Sequence, residues 1–254
     1  MATVVSDIRL VALRDLPEVR AGDDLAGLIV EAARNQHAPF EDGCVVAVAQ
    51  KVVSKAEGCF VDLDGVQPTP PASSFAAEHR KDARLTELAL RQARRVVKME
   101  RGVLIVETRH GLVCANGGVD VSNVPGENRA TVLPEDPDCS AVRLREALRA
   151  ATGKECAVIV TDTFGRPWRE GLVNVAIGAA GFRTLTDYRG RRDRQGRRLH
   201  ATVIAVADEL AAAAGLLMQK DAGTPVVLIY GAPIELGPGS ARDLIRPPGR
   251  DLFR

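Results

Sequence analysis

The sequence lacks the features of membrane, secreted and disulfide-bonded proteins. None of its apolar runs reaches the length of about 18 residues that a membrane-spanning helix needs, and its start has neither the basic nor the apolar region of a signal peptide. The five cysteines are odd in number and show no C-x-x-C spacing, which argues against a disulfide framework or a thiolate zinc site. We therefore expect a cytoplasmic protein with reduced, mostly buried thiols.

The sequence also has almost no net charge. Lys and Arg number 34 against 33 Asp and Glu, which gives +1 with neutral His. A chain so balanced has no overall field to draw it to nucleic acid or an anionic membrane, so either partner would need a local patch. Hydrophobic residues make up 46% of the 254 positions, enough for a sizeable core in one elaborated domain or two intimately joined ones.

The common nucleotide and zinc motifs are absent. There is no G-x-x-x-x-G-K-[ST] loop, and no G-x-G-x-x-G follows a predicted strand. H-E-x-x-H is missing too, and the four histidines are not spaced as ligands of one metal. These absences argue against a P-loop protein, an ordinary Rossmann domain and a zinc hydrolase.

Strand and helix patterns alternate along the chain, which predicts an α/β (mixed α+β) fold for a single domain over residues 1–254. Short β-branched apolar runs predict buried strands at 45–49, 103–106, 157–160, 202–205 and 226–230. Helical spacing predicts apolar helix faces within 85–93, 141–148 and 206–217, with Ser140 as N-cap of the second helix.

Breaker residues mark two irregular segments. Prolines predict an exposed loop at 67–74, which is also a candidate subdomain junction. The C-terminal tail, 237–254, is rich in Gly and Pro and is expected to wrap the surface or to fray.

A polar cluster follows one of the predicted strands. Asp162 and Thr163 supply the hard oxygen ligands that Mg²⁺ or Mn²⁺ prefer, and Arg166 and Arg169 flank Trp168, whose ring offers a flat apolar surface. Ligands of α/β proteins bind at this carboxyl edge of the sheet. A capped turn with two solvated arginines explains the same residues, so both interpretations stay open.

Two other clusters have a similar pair of interpretations. The segment GGVDVSN combines flexible glycines with Asp120 and Asn123, which suits a metal-phosphate site or a tight turn closed by an Asx hydrogen bond. The segment QKVVSKAEG, at 50–58, carries two lysines, a hydroxyl and a carboxylate after a strand. It suits binding of phosphates and a charged substrate, or a solvated strand-to-helix connection.

One segment is strongly electropositive. Residues 187–198 contain six arginines in twelve positions, a local patch that suits binding of RNA or DNA. A single Tyr gives little area for base stacking and no nucleic-acid fold signature is present, so an exposed loop that meets an acidic small molecule fits at least as well. A nucleic-acid-binding protein that uses residues 189–198 is kept as the alternative function.

Four segments agree in order and spacing with one protein family: VAVAQKVVSKAEG, GGVDVSNV with LPEDPDCSA, VIVTDTFGRPWREGLVNVAIGAAG, and AVADELAAAAGLLMQKDAGTPVVLIYG. Over about residues 10–231 the chain resembles the coenzyme F420-0:γ-glutamyl ligase family, including the N-terminal ligase half of its two-domain mycobacterial form. No flavin-reductase-like domain follows in this sequence, so a stand-alone ligase is expected.

The resemblance implies a GTP-dependent amide ligase. Such an enzyme joins L-glutamate through its amine to the carboxylate of a deazaflavin coenzyme F420 precursor, then extends the γ-linked tail, through an acyl phosphate and with release of GDP and phosphate. Mg²⁺ or Mn²⁺ is implied at one or two sites, with a monovalent cation such as K⁺ as a further candidate. The resemblance also implies an intertwined two-part fold that forms a homodimer, with active-site clefts near the interface. It implies no nucleic-acid or membrane partner.

The resemblance carries over to particular residues. Catalytic roles are implied for Lys55, Asp162, Arg166 and Arg169, with Lys55 neutralising phosphate charge. Asp120 and Asp162 would hold one divalent cation, and Thr163 would touch a second. The residues implied to contact the nucleotide are Leu16, Pro17, Glu18, Val19, Gln50, Lys55, Asn123, Met218, Gln219 and Lys220.

Two positions depart from the family pattern. Gln50 stands where relatives carry Ser or Thr, and Lys220 stands where some members use a Gln toward the second metal. A protonated lysine cannot ligate a cation, which leaves contact with a phosphate as its alternative role. A degenerate ligase that binds nucleotide without turnover is disfavoured, because the implied metal and phosphate residues are intact.

Overall fold

The computed structural model describes residues 7–122, 126 and 128–251. The α-helices of this part of the chain are α1 (Leu25–Asn35), α2 (Gln50–Ala56), α3 (Pro70–His79), α4 (Ala83–Gln92), α5 (Pro137–Thr152) and α6 (Val206–Met218). Its strands are β1 (Arg9–Leu13), β2 (Val45–Ala49), β3 (Phe60–Asp62), β4 (Ala93–Glu100), β5 (Val103–Thr108), β6 (Val113–Ala115), β7 (Arg129–Thr131), β8 (Ala157–Arg166), β9 (Arg169–Ala180), β10 (Thr186–Asp187), β11 (Val203–Ile204) and β12 (Val226–Tyr230). The predicted mixed α/β class is confirmed.

A five-stranded sheet in the order β1-β12-β2-β8-β9 forms the centre of the larger part of the fold. β2 and β8 are parallel, and every other neighbouring pair in this sheet is antiparallel. Strands β2 and β12 read VVAVA and VVLIY, without a charged residue. Such continuous apolar runs are expected where both faces of a sheet are covered.

Helices cover both faces of this sheet. On one face, Ile29 of α1 and Leu148 of α5 belong to the same core as the even-numbered residues of β2. On the other face, Leu210 of α6 packs against the odd-numbered ones. Close approach of α5 to β9 depends on Gly178, because a Cβ there would lie 2.2 Å from the carbonyl oxygen of Pro137. The sheet is therefore the middle layer of three.

A smaller group of elements lies between α2 and α5 in the chain. β3 pairs with β7, and β4, β5 and β6 form a three-stranded antiparallel sheet that accompanies α3 and α4. Two small cores, one with Leu88 and Ala130 and the other with Leu104 and Val106, stabilise this group. The segment 67–74 lies within it. The intertwined arrangement and the homodimer stay predictions.

The predicted strands are confirmed with changed limits. Those at 45–49 and 226–230 have the expected ends, whereas 103–106 and 157–160 are the first parts of longer strands. The strand expected at 202–205 is reduced to two residues, β11. The three predicted helices are also present, as α4, α5 and α6.

Two local expectations are wrong. The loop expected at 67–74 ends at residue 69, because α3 begins with Pro70 and Pro71, and proline is tolerated in the first turn of a helix, where the N–H has no helical partner. Ser140 is not the N-cap of α5. That position belongs to Asp136, whose Oδ1 accepts a hydrogen bond from the Cys139 backbone N–H at 3.1 Å.

The C-terminal segment wraps the surface, as expected, over its described residues. Two short 3-10 turns, Ala241–Leu244 and Pro248–Arg250, follow the Gly-rich stretch. Ala241 is buried, and its backbone N–H donates to Asp138 Oδ1 at 2.8 Å, which ties the segment to the first turn of α5.

Candidate active site

A cleft of about 800 Å³ opens at the carboxyl ends of the parallel strands β2 and β8. β9 and β12 run antiparallel to these strands, so residues 172–174 of β9 and the residues just before β12 reach the same edge. The predicted site residues that line the cleft are Leu16, Pro17, Glu18, Val19, Gln50, Lys55, Asp120, Asp162, Thr163, Met218, Gln219 and Lys220. Asn123 lies outside the described residues, and its role stays a prediction.

The polar residues after 157–160 belong to a strand rather than to a capped turn. β8 continues to Arg166 and forms a long hairpin with β9, with a register shift between Val160 and Thr161. Thr161 Oγ lies 3.7 Å from the sulfur of Met218 in α6, and successive side chains of a strand alternate between its faces. Thr163 therefore shares the α6 side, and Asp162 points to the opposite side.

The Asp162 side chain lines the cleft and is partly buried. Burial raises its pKa to about 6, the nearby negative charge of Asp120 acts in the same direction, and a hydrogen bond from the Thr163 backbone N–H together with the ammonium groups of Lys220 and Lys51 opposes the change. A partly buried carboxylate whose negative charge is incompletely compensated is a site that favours additional positive charge.

Asp120 is held beside the cleft by a turn and a lysine. Its Oδ1 accepts hydrogen bonds from the backbone N–H and the hydroxyl of Ser122, both at 2.7 Å, and its Oδ2 lies 2.8 Å from Lys51 Nζ. Burial favours the neutral acid, but the hydrogen bonds from Lys51 and Ser122 outweigh it and lower the pKa of Asp120. The Asx turn considered for this segment is thus present within the wall of the cleft.

Helix α2 starts where β2 ends and brings two further predicted residues to the cleft. Lys55 is buried, with its side chain 5% exposed, and its ammonium pairs with the carboxylate of Glu18. Gln50 is buried as well, and its side-chain oxygen accepts a hydrogen bond from the Ser54 hydroxyl at 2.8 Å. The segment is a strand-to-helix connection, as one interpretation expected, but its first part is mostly buried and only Glu57 and Gly58 are exposed. Its role in binding phosphates stays a prediction.

A small polar network joins the hairpin to the end of α6. The Thr163 hydroxyl donates to Asn174 Oδ1 at 3.0 Å and accepts from Lys220 Nζ at 2.7 Å. Gln219, at the end of α6, has a φ of 33°, a backbone region that residues with a Cβ seldom occupy. This network fixes the α6 side of the cleft.

Arg166 and Arg169 lie at the tip of the hairpin. They face each other as the last pair of the β8 and β9 ladder, and neither lines the cleft. A terminal nitrogen of Arg166 donates to the Glu170 carbonyl oxygen at 3.0 Å, and Arg169 is exposed. The structure therefore does not bring them together with Asp162, and their catalytic role stays a prediction.

The arginine-rich segment is an exposed loop between β10 and β11. Part of its charge is compensated locally, since Arg189 forms a salt bridge with Asp187 at 2.6 Å and Arg191 lies over the Tyr188 ring at 4.8 Å. The loop returns to the N-terminal end of α6, whereas the cleft is lined by the second half of this helix, from Ala212 onward. At a rise of 1.5 Å per residue, about 9 Å of helix separates Val206 from Ala212, so the base of the loop does not line the cleft.

The donor chemistry of the cleft fits a divalent cation. Asp120 and Asp162 offer hard oxygens, the burial of Asp162 favours positive charge, and two lysine ammonium groups already contact Asp120 and Thr163. Among the described residues no three His, Cys, Asp or Glu side chains gather as a metal cage. Two carboxylates completed by substrate phosphates are a common arrangement for Mg²⁺.

The sequence interpretation missed Asn174 and gave Lys51 no individual role. Lys51 was recognisable as one of two lysines in its segment, but only the structure shows that it faces Asp120. Asn174 has no local signal, because its contact with Thr163 depends on the register of β9 against β8. Leu172 and Leu216, both largely exposed, are further unpredicted residues at the cleft.

Comparison with known proteins identifies a family whose sequence pattern covers the segments that form this cleft. The family model for F420-0:gamma-glutamyl ligase matches residues 14–231. The chain belongs to this family. Coenzyme F420:L-glutamate ligase of Methanopyrus kandleri is 50% identical over 242 residues, which cover 93% of this chain and 94% of that protein.

Other relatives match as completely. The ligase of the same name from Methanothermobacter thermautotrophicus is 44% identical over 97% of this chain and 99% of its own length. The one from Methanocaldococcus jannaschii is 40% identical over 94% of both chains. These comparisons give no support to the nucleic-acid-binding alternative. Within the described residues, no helix has the length and apolar character required to cross a membrane.

Proposed function

We propose that this family member is a coenzyme F420:L-glutamate ligase that uses GTP. The observation that carries the proposal is the gathering of Asp120, Asp162, Thr163 and Lys55 in one cleft within the segment matched by the ligase family. The cleft has room for a nucleotide and the end of an acceptor, and it lies at the strand edge where α/β proteins bind ligands.

The proposed reaction has two steps. A carboxylate oxygen of the deazaflavin acceptor attacks the γ-phosphorus of GTP, the bond to the bridging oxygen of GDP breaks, and an acyl phosphate results. The amine of L-glutamate then attacks the acyl carbon, a C–N bond forms, phosphate leaves, and the amine loses a proton. Activation is necessary because a free carboxylate has no good leaving group.

The residues of the cleft have separate parts in this proposal. Asp120 and Asp162 would hold Mg²⁺ or Mn²⁺, which when bound neutralises phosphate charge. Lys55 would contact a phosphate, and to do so its ammonium must leave the carboxylate of Glu18, with which it pairs in this structure. Lys220 and Thr163 would position the phosphates from the α6 side. A second divalent cation, a monovalent cation such as K⁺ and the homodimer remain part of the proposal.

The test is a reaction with purified protein, deazaflavin precursor, L-glutamate and Mn²⁺, with GTP or ATP, followed by mass spectrometry. We expect products that carry one or more added glutamyl residues, together with GDP, in the GTP reaction. Omission of Mn²⁺ and addition of K⁺ in parallel reactions test the two cation requirements. Absence of any glutamylated product with either nucleotide would refute the proposed function.

A further inference from the structure

Two lysines one turn apart on α2 have different partners. Lys51 Nζ lies 2.8 Å from Asp120 Oδ2 and 2.6 Å from Ser122 Oγ, whereas Lys55 pairs with Glu18. The Lys51 side chain lines the cleft and is 22% exposed, so it has space to move, while that of Lys55 is almost completely enclosed. The two ammonium groups are therefore not equivalent.

The pairing with Lys51 occupies a specific oxygen of Asp120. Oδ1 is fixed by two hydrogen bonds from Ser122, so Oδ2 is the oxygen that can change partner without loss of the turn. Its current partner is the Lys51 ammonium. A divalent cation held by Asp120 would thus compete with Lys51 for the same oxygen.

We propose that Lys51 is an exchange group in the cleft. Without a cation it neutralises Asp120, and when a metal–nucleotide complex enters it yields Oδ2 to the cation and moves its ammonium to a phosphate oxygen. The identity of the nucleotide rests on the proposed function. No covalent bond changes in this exchange.

Charge balance supports the second half of this exchange. The charged residues that line the cation-free cleft are Lys51, Lys55 and Lys220 against Glu18, Asp120, Asp162 and Asp221, three positive charges against four negative ones. A divalent cation alone would leave an excess of positive charge, and the polyphosphate of the nucleotide removes it. A flexible, strongly hydrated ammonium with three donors is suited to follow the phosphate.

The test compares Lys51→Met with wild type in two binding titrations. Mn²⁺ alone is titrated and free Mn²⁺ is followed by electron paramagnetic resonance, and GDP is titrated at saturating Mn²⁺ by calorimetry. Loss of a partly exposed ion pair corresponds to about a five-fold change in affinity. We expect Mn²⁺ to bind about five-fold more tightly to Lys51→Met and GDP to bind at least about five-fold more weakly.

Two matched variants control for charge and folding. Lys98→Met removes a lysine that pairs with Glu100 on the exposed strand β4, so both affinities should equal those of wild type. Lys51→Arg keeps the charge, so its Mn²⁺ affinity should stay within about two-fold of wild type. Circular dichroism of every variant verifies that the fold is retained.

The outcomes are decisive in each direction. An unchanged or weaker Mn²⁺ affinity of folded Lys51→Met would overturn the competition for Asp120. A tighter Mn²⁺ affinity with unchanged GDP affinity would overturn the transfer to phosphate, and with it the proposal. If Lys51→Met shows both expected changes of affinity but wild type forms no glutamylated product, the proposed function is refuted and the exchange by Lys51 stands.

Discussion

Asn174 accepts a hydrogen bond from the Thr163 hydroxyl at 3.0 Å, from the neighbouring strand of the β8 and β9 hairpin. Its amide nitrogen lies 3.4 Å from the sulfur of Met218, in the last turn of α6. One side chain therefore links two strands to the helix end that carries Lys220. This link orients the Thr163 hydroxyl toward the cleft.

Asn174→Ala should impair ligation more than folding. Loss of the hydrogen bond releases the Thr163 hydroxyl, so we expect kcat to fall about ten-fold while stability falls by about 1 kcal/mol. Steady-state kinetics and urea unfolding measure the two effects. Asn35→Ala, at the exposed end of α1, is the control and should change neither. Wild-type kcat in Asn174→Ala would show that the link has no functional role.

Asp162→Asn should abolish ligation and stabilise the cation-free protein at pH 7. Burial raises the pKa of Asp162 to about 6, above its ordinary value of 3.8, so its ionised form is disfavoured in the folded state. The variant should therefore gain about 1 to 3 kcal/mol above pH 6, and this gain should disappear as the pH falls toward 4.

Urea unfolding of both proteins from pH 4 to pH 8, without added metal, measures that dependence. Addition of Mn²⁺ should narrow the difference at pH 7, because only wild type retains both carboxylates for binding. Metal-dependent turnover by Asp162→Asn at the wild-type rate would remove Asp162 from the proposed mechanism.

Glu18→Gln and Lys55→Met should affect different properties. Glu18→Gln leaves a buried ammonium without its countercharge, so we expect a loss of stability of about 1 to 2 kcal/mol. Lys55→Met replaces the ammonium by an apolar group of similar length, so its stability should stay within about 1 kcal/mol of wild type while GDP affinity falls about ten-fold. Thermal unfolding and calorimetric titration distinguish the two. Equal GDP affinity of Lys55→Met and wild type would exclude a phosphate contact by Lys55.

His110 should make the protein sensitive to mild acid. Its Nε2 lies 3.0 Å and 3.1 Å from the carbonyl oxygens of Pro134 and Glu135, so this nitrogen carries the hydrogen. Burial lowers the pKa of His110 below 6.5, and a lowered pKa means that protonation favours the unfolded state. Stability from neutral His110 is thus complete above pH 6.5 and decreases below it.

His110→Gln keeps a donor for the carbonyl groups but cannot take up a proton. The urea midpoint of this variant should therefore change less between pH 7 and pH 5 than that of wild type. If the urea midpoints of the two proteins changed equally between pH 7 and pH 5, His110 would not be the group that causes the acid sensitivity.

The double variant Arg191→Ala with Arg192→Ala tests the arginine-rich loop. Because the loop joins the N-terminal end of α6 and no residue of it lines the cleft, we expect the KM values for GTP and acceptor to stay within about two-fold of wild type. Gel-shift assays at two salt concentrations test the nucleic-acid alternative in the same variant. A large, salt-dependent rise of the acceptor KM would place the loop at a substrate, for example across a subunit interface.

Sequence patterns predicted the central sheet better than the connections around it. β2 and β12 were predictable because continuous β-branched apolar runs are typical of strands covered on both faces. The start of α3 was not, because Pro70 and Pro71 resemble breakers unless the first turn of a helix is already known to lie there.

The sequence predicted which segments form the candidate site. It did not predict the contacts that depend on how distant segments are aligned with one another. The segment QKVVSKAEG follows β2, and TDT begins where the parallel pairing of β8 with β2 ends, so their presence at one edge follows from topology. The contacts of Lys51 with Asp120 and of Asn174 with Thr163 join residues 69 and 11 positions apart, and no local pattern encodes such a pairing.

Because side chains alternate between the two faces of β8, the function of this strand depends on the number of residues in it. Thr161 and Thr163 face α6, and Asp162 faces the other side. Insertion of one residue after Val160 would turn the two threonines away from α6 and Asp162 toward it. The apolar residues before that point would keep their places, and the sheet would still form. Evolution can therefore lengthen the hairpin at its tip, but a change of one residue at its root would give a folded protein without a functional cleft.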